Sequence, residues 1–167
     1  YEYVDFQPFA FPKYSFLLSS DFSWDGHAFG LLDRFFPSVA ALLDSEFSTA
    51  YQLTYGTYGD DAGVETEPYR RSVWYYTQRL LGLQSPDFEY RLVNVLLVPV
   101  LKGFCKKIAC FPHAITPTDF ATCSTKLTPP EKVHVAILVA EAKKNAAILF
   151  AMRALGAHFA ATSSATA

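Results

Sequence analysis

PPEKVHVAILVAEAKKNAAILFAMRALG, residues 129–156, decides the fold class. Two prolines open it, and proline suits a first helical turn because its fixed φ is helical and its missing N–H is not needed there. No further proline or glycine interrupts the stretch before Gly156. At about 100° per residue, Glu131, Leu138, Glu141 and Asn145 fall within about 60° of His134, while Lys132 and Lys143 fall about 160–180° away. The lysines mark the solvent side, so the Glu131/His134/Glu141/Asn145 stripe points inward. Val133, Val135, Ala136, Ile137, Val139 and Ala140 fill the remaining faces, which predicts a mostly buried helix. A buried carboxylate costs several kcal/mol unless it is paired. Internal partners or a ligand must therefore satisfy these side chains. Glu141 and His134 read most simply as a buried hydrogen-bonded network. Glu131 sits in the first turn, where the helix dipole alone favours a carboxylate by roughly 0.3–1 kcal/mol.

Working outward, the same helical spacing recurs upstream. Ser23 offers an N-cap before a helix over 24–36, and Pro37 closes it and opens the next, 38–55. Residues 56–65, GTYGDDAGVE, hold three glycines and two aspartates and read as a loop. Thr66 is read as the cap of a helix ending before Gly82. A helix over 87–109 carries Pro99 as a kink, and 118–126 is a further short helix. No strand of useful length is predicted. The fold class is all-α, a compact bundle of five to six helices. Residues 1–22 read as an extended aromatic segment laid over the core, 23–160 as the helical domain, and 161–167 as a frayed tail.

The chain has 167 residues, of which 51% are hydrophobic and 18% charged, against roughly 25% charged in an average soluble domain. That balance excludes disorder for most of the chain. A net charge of −2 predicts no basic patch and hence no nucleic-acid binding. No window of about 18 uncharged apolar residues exists to span a membrane. Three cysteines, Cys105, Cys110 and Cys123, argue for a reducing, cytoplasmic compartment over a disulfide scaffold. The opening at Tyr1 reads as a piece of a longer protein.

Arg70 and Arg71 lie in the first turn after Thr66, the wrong helix end for cations unless an anion meets them. Together with free N–H groups they suit a carboxylate or phosphate. Otherwise one pairs with an internal acid and the other is solvated. Peroxidase chemistry needs an activated thiol, usually Cys-x-x-Cys. Cys105 and Cys110 instead lie about 140° apart on a helix. No metal-ligand spacing joins His27, His113, His134, His158 and the cysteines, so no cofactor is expected.

The blocks SDFSWDGHAFGLLDRFFP, LLDSEF, LTYGT, RRSVWYY, DFEYRLVN and EKVHVAILVAEAKKNAAILFAMRAL resemble, in order, the carboxy-terminal domain of the sestrins. That family pairs an amino-terminal domain of the alkyl-hydroperoxidase-D type with a related helical carboxy-terminal domain. The resemblance implies an AhpD-like helical fold and a sensor that binds a free amino acid, leucine or similar. It implies that Glu131 holds the ammonium group and Arg70 the carboxylate. Thr54, Tyr55 and Thr66 would close as lid and latch, and His134 would shape the floor. It further implies control of a GATOR-type regulatory complex upstream of the TOR kinase in the stress and nutrient response, through Asp87, Phe88 and Tyr90. Any peroxide reductase activity would belong to the amino-terminal domain.

The sequence departs from that pattern at the pocket wall. The family's large aromatic, a Trp, falls on Ser124, a second aromatic on Leu127, and a Leu on Tyr69. The polar anchors remain while the side-chain wall changes. A different amino acid, or a ligand-free helical scaffold, is therefore an alternative to leucine binding, with a thiol-peroxidase domain the remotest one. At Asp87 and Phe88 the plain reading is an N-cap and a core anchor.

Overall fold

The computed structural model describes residues 16–165. Among them are seven α-helices: α1 Phe29–Phe35, α2 Pro37–Gln52, α3 Glu67–Leu80, α4 Arg91–Leu96, α5 Pro99–Cys110, α6 Pro117–Thr122 and α7 Pro129–Ala165. The all-α reading holds. The helix number exceeds the expected five or six because the 87–109 segment is two helices. Val98 precedes Pro99 and is extended (φ −60°, ψ 152°), since the proline ring pushes its predecessor out of the helical basin. Pro99 therefore breaks the helix rather than kinking it, and residues 87–90 form a turn ahead of α4.

Four short strands join the helices. β1 Leu17–Leu18 pairs in parallel with β4 Leu83–Gln84, with Leu17 opposite Leu83. β2 Thr57–Tyr58 and β3 Asp61–Ala62 pair antiparallel. The glycine-rich 56–65 stretch is thus a small hairpin rather than an irregular loop. The expected extended segment 1–22 is described only from Phe16 on, and there Leu17 is buried against Leu83 and Leu149; residues 1–15 lie outside the described part. A π-helical turn, Trp24–Ala28, precedes α1, and Ser23 Oγ caps it by accepting from Gly26 N at 3.1 Å.

Helix α7 is the axis of the molecule, packing against α2, α3 and α5. Its Leu138 and Val139 enter one buried cluster with Val73, Leu97, Leu101 and Phe104. Further along, Ala146 and Leu149 enter a second with Trp24, Ala28 and Phe47. Each fully buried Leu or Val contributes about 1.5–3 kcal/mol, so one helix anchors both halves. It also runs past Gly156, the expected end. The glycine sits in the helix against Leu31, and Phe159 beyond it stacks on Phe35 at 5.6 Å.

One inward-outward assignment on α7 is corrected. Lys132 is buried, not on the solvent side. Its Nζ donates to the Ala121 carbonyl at 2.7 Å, giving the end of α6 a cation and a donor. Glu141 is half-buried with its Oε2 shielded from solvent, and that oxygen pairs with Lys144 at 2.7 Å, one helical turn on. Asn145 is buried as read, accepting from Gln78 Nε2 at 3.0 Å.

Candidate functional site

The start of α7, the first turn of α3 and the β2–β3 hairpin enclose a cavity of about 60 Å³. Its floor and far walls are apolar: Val73 from α3, Leu97 and Leu101 from the α4–α5 region, and Val135 and Leu138 from α7. Charge enters from two sides, Arg70 on α3 and Glu131 on α7.

Glu131 is 6% exposed and its carboxylate gathers donors from two segments. Thr57 Oγ1 donates to Oε1 at 2.7 Å. Gly59 N donates to both oxygens at 3.1 Å. Thr128 donates through its backbone N at 2.7 Å and its hydroxyl at 2.8 Å. Burial pushes the carboxyl up, but the bonds from Thr128, Thr57 and Gly59 outweigh it and hold it below its ordinary value. The residue therefore ties the hairpin to α7. Gly59 makes this approach possible: its φ is +66°, and a Cβ there would lie 2.1 Å from the Lys126 carbonyl oxygen.

Arg70 is the opposite pole. Its guanidinium donates to Thr66 Oγ1 through Nη1, whereas its buried Nε has no hydrogen-bond partner. Thr66 stands at the N-cap position of α3 but makes no side-chain cap bond. Its hydroxyl is spent on Arg70 and on Thr54 Oγ1, 2.7 Å away. The expected cap is thus a link between the two ends of the 54–66 segment. Neither arginine forms an ion pair among the described residues; Arg71 instead lies over the rings of Tyr75 and Phe88 at 5.9 and 5.7 Å.

His134 is buried, and its Nε2 donates to the Ala50 carbonyl at 2.9 Å. The Tyr55 ring meets it edge-on at 6.2 Å. Tyr58 and Tyr69 stack at 4.6 Å between centroids, and Leu127 lies on the same wall. Burial, then the neighbouring Tyr69 and Glu131, push the Tyr58 hydroxyl above its ordinary pKa.

Glu131, Arg70, Thr54, Tyr55, Thr66, His134, Tyr69 and Leu127 all line this one cavity. Ser124 does not: its Oγ accepts from Lys126 N and Leu127 N, both at 3.2 Å, and turns the chain into α7. Sequence reasoning missed Thr57, Tyr58 and Gly59 as site-forming residues. Thr57 was within the motif LTYGT, and Leu138 lies one turn from His134 on the inward stripe; nothing local marked Leu97 or Leu101.

The three residues assigned to a partner surface separate. Asp87 is exposed. Phe88 is 6% exposed and stacks on Tyr75 at 4.5 Å. Tyr90 is half-buried, its hydroxyl accepting from Ser85 N at 2.9 Å. Asp87 lines a surface groove with Glu67, Arg71 and Glu89.

The sequence profile of the family described as PA26 p53-induced protein (sestrin) matches residues 1–159. The chain belongs to the sestrin family. This sestrin chain is 38% identical over 139 residues to the sestrin homolog of Dictyostelium discoideum, covering 83% of the chain and 23% of that relative. It is 41% identical over 133 residues to the sestrin homolog of Drosophila melanogaster, covering 80% and 27% respectively. It is 37% identical over 137 residues to human Sestrin-2, covering 82% and 28%. The sestrin chain therefore spans less than a third of the length of these relatives. Among its described residues, no helix is long and apolar enough to cross a membrane.

Proposed function

We propose that this sestrin segment is an amino-acid sensor domain, acting in the cytoplasm as part of a regulator of the stress and nutrient response. Its ligand is a free apolar amino acid, leucine or similar. One observation carries the reading: a cavity with apolar walls presents one cation, Arg70 with a buried unpartnered Nε, and one anion, Glu131. A zwitterion with an apolar side chain complements that layout, and charge-assisted bonds at both ends fix its orientation. Arg70 takes the carboxylate. Glu131 takes the ammonium group by exchanging one of its present donors, Thr57 or Gly59, which belong to the hairpin. Binding is thereby linked to hairpin position, and a ligand that prefers one position shifts the population toward it. The downstream partner in this reading is a GATOR-type complex upstream of TOR kinase, contacting Asp87 and its groove.

A second reading rests on the saturation of Glu131. Thr57, Gly59 and Thr128 already satisfy it, which also suits a ligand-free scaffold. No catalytic role is proposed. Burial, with a further contribution from Cys123, pushes the Cys105 thiol up to about 12, away from the reactive thiolate. The deciding experiment is a thermal-shift series with free amino acids at millimolar concentration. A ligand at a hundredfold excess over its Kd adds about 2.7 kcal/mol, several degrees for this size. A shift that Arg70→Ala abolishes supports the sensor; a folded protein that no amino acid shifts is the scaffold.

A further inference from the structure

A cleft of about 400 Å³ opens between the Trp24–Ala28 turn, α2, α3 and α7, and it shares no lining residue with the cavity of Arg70 and Glu131. Its size falls within the roughly 300–1,000 Å³ of small-molecule sites. Trp24, Phe47, Tyr51 and Trp74 line it. Neighbouring rings meet edge to face, Trp24 on Phe47 at 87°, Phe47 on Trp74 at 77° and Tyr51 on Trp74 at 88°. They therefore stand as walls set at corners and not as one flat stack. A ring face carries negative charge density and attracts a cation. Phe47 already holds one: Lys144 Nζ lies 5.5 Å from its centroid. Lys144 is itself paired with Glu46 and Glu141 and does not line the cleft.

The charge of the lining has one sign. Asp25 and Asp44 are exposed, and neither forms an ion pair among the described residues. Asp44 Oδ1 accepts from Trp24 Nε1 at 2.9 Å, which leaves its second oxygen open. No Lys, Arg or His lines the cleft. Deeper in, Gln78 of α3 and Asn145 of α7 are 7% and 4% exposed. Gln78 Nε2 donates to Asn145 Oδ1 at 3.0 Å. Gln78 Oε1 and Asn145 Nδ2 have no hydrogen-bond partner among the described residues. Two nearly buried side chains thus reach the cleft with an acceptor and a donor to spare.

We propose that this cleft binds a guanidinium group, the head of an arginine side chain, and that it does so independently of the amino-acid cavity. Guanidinium is planar, stacks on aromatic faces and presents five N–H donors. Asp44 and Asp25 supply the countercharge, Gln78 Oε1 a further acceptor, and the partly exposed rings of Trp74 and Tyr51 a surface to stack on. An alkylammonium is a compact, strongly hydrated charge, so it leaves water less readily for an aromatic wall. The head fills only part of the cleft, and Asn145 Nδ2 is free to donate to a carbonyl oxygen elsewhere in the ligand. The same head is carried by a free guanidinium metabolite and by an arginine within a peptide.

Isothermal titration of the chain with agmatine and with Nα-acetyl-L-arginine amide tests this. Neither compound is a zwitterionic amino acid, so neither presents the paired ammonium and carboxylate that Arg70 and Glu131 suit. Binding of either supports the site, and the tighter of the two names the source, free metabolite or peptide. Nα-acetyl-L-citrulline amide has the same shape without the charge and should bind at least about tenfold more weakly than the arginine compound. Asp44→Asn keeps an acceptor for the Trp24 indole and removes the charge, and it should weaken guanidinium binding about three- to tenfold. Asp25→Asn should act in the same direction, and both positions are exposed enough to leave folding intact. Absence of binding by both guanidinium compounds overturns the proposal. So does a citrulline compound that binds as tightly, or an affinity that neither aspartate variant moves. None of these results bears on the amino-acid reading, which the thermal-shift series tests separately.

Discussion

Thr57 Oγ1 and Glu131 Oε1 lie 2.7 Å apart, joining the hairpin to the first turn of the longest helix. This closure holds Thr57 and Tyr58 of the hairpin against the cavity. The carboxylate sits where the N-terminal dipole of α7 favours it, yet two of its four donor groups, Thr57 Oγ1 and Gly59 N, come from a segment far away in sequence.

Glu131→Gln should therefore destabilise the chain. The amide keeps the shape but replaces one acceptor oxygen with a donor, which faces the Gly59 or Thr128 N–H. A loss of about 1–3 kcal/mol is expected, read as a lower denaturation midpoint at unchanged slope. The folded pKa of Glu131 lies below its ordinary 4.5. Its contribution is thus complete above the unfolded value and is lost as pH falls through the folded one. Glu131→Gln should flatten that part of the stability profile between pH 5 and acid unfolding, with roughly that window set by ordinary carboxylate values.

Gly59→Ala should cost more than Gly56→Ala. Both glycines have positive φ, +66° and +65°, so both substitutions incur backbone strain of about 1–3 kcal/mol. At Gly56 the new methyl meets nothing within 4 Å, while at Gly59 it meets the Lys126 carbonyl at 2.1 Å. Melting temperatures of the two variants measure the difference. Equal melting temperatures would mean that the hairpin does not press on residue 126.

Phe88→Ala and Asp87→Ala should separate cleanly. Truncating buried Phe88 removes its stack on Tyr75 and its contact with Arg71, at about 3–5 kcal/mol. Asp87 is exposed, and its substitution should stay within about 0.5 kcal/mol. Asp87→Ala should nevertheless weaken capture of a GATOR-type partner, with urea denaturation confirming intact stability. Capture that is unaffected by Asp87→Ala but lost with Phe88→Ala would assign the effect to folding alone.

The course of α7 was legible because Pro129-Pro130 and an unbroken apolar pattern leave few alternatives. Arg70 and Glu131 stood out as charges in first turns, where one suits the helix dipole and the other opposes it. What escaped reading was mostly long-range. Lys132 looks solvent-facing by periodicity alone, because the carbonyl that receives it, Ala121, belongs to another helix. Thr66 has the composition of a cap, but Thr54 and Arg70 compete for its hydroxyl and win. Gly156 signals a helix end by composition, yet Phe35 offers Phe159 a ring to stack on and the helix goes on. The break at Pro99 was the local exception, since the rule for a residue preceding proline already disfavours a helical Val98.

Arg70 and Arg71 are consecutive, yet one lines the interior cavity and the other the groove that holds Asp87. A single helical turn therefore forms part of two surfaces, with no intervening element to absorb a displacement. Thermodynamic linkage then makes the relation mutual: occupancy of either surface that shifts this turn changes the affinity of the other by the same factor. A macromolecule seated on the groove would tune the cavity's appetite for its small ligand as strongly as the ligand tunes the macromolecule. Nutrient sensitivity would then be a property of the assembly and not a fixed constant of the isolated chain.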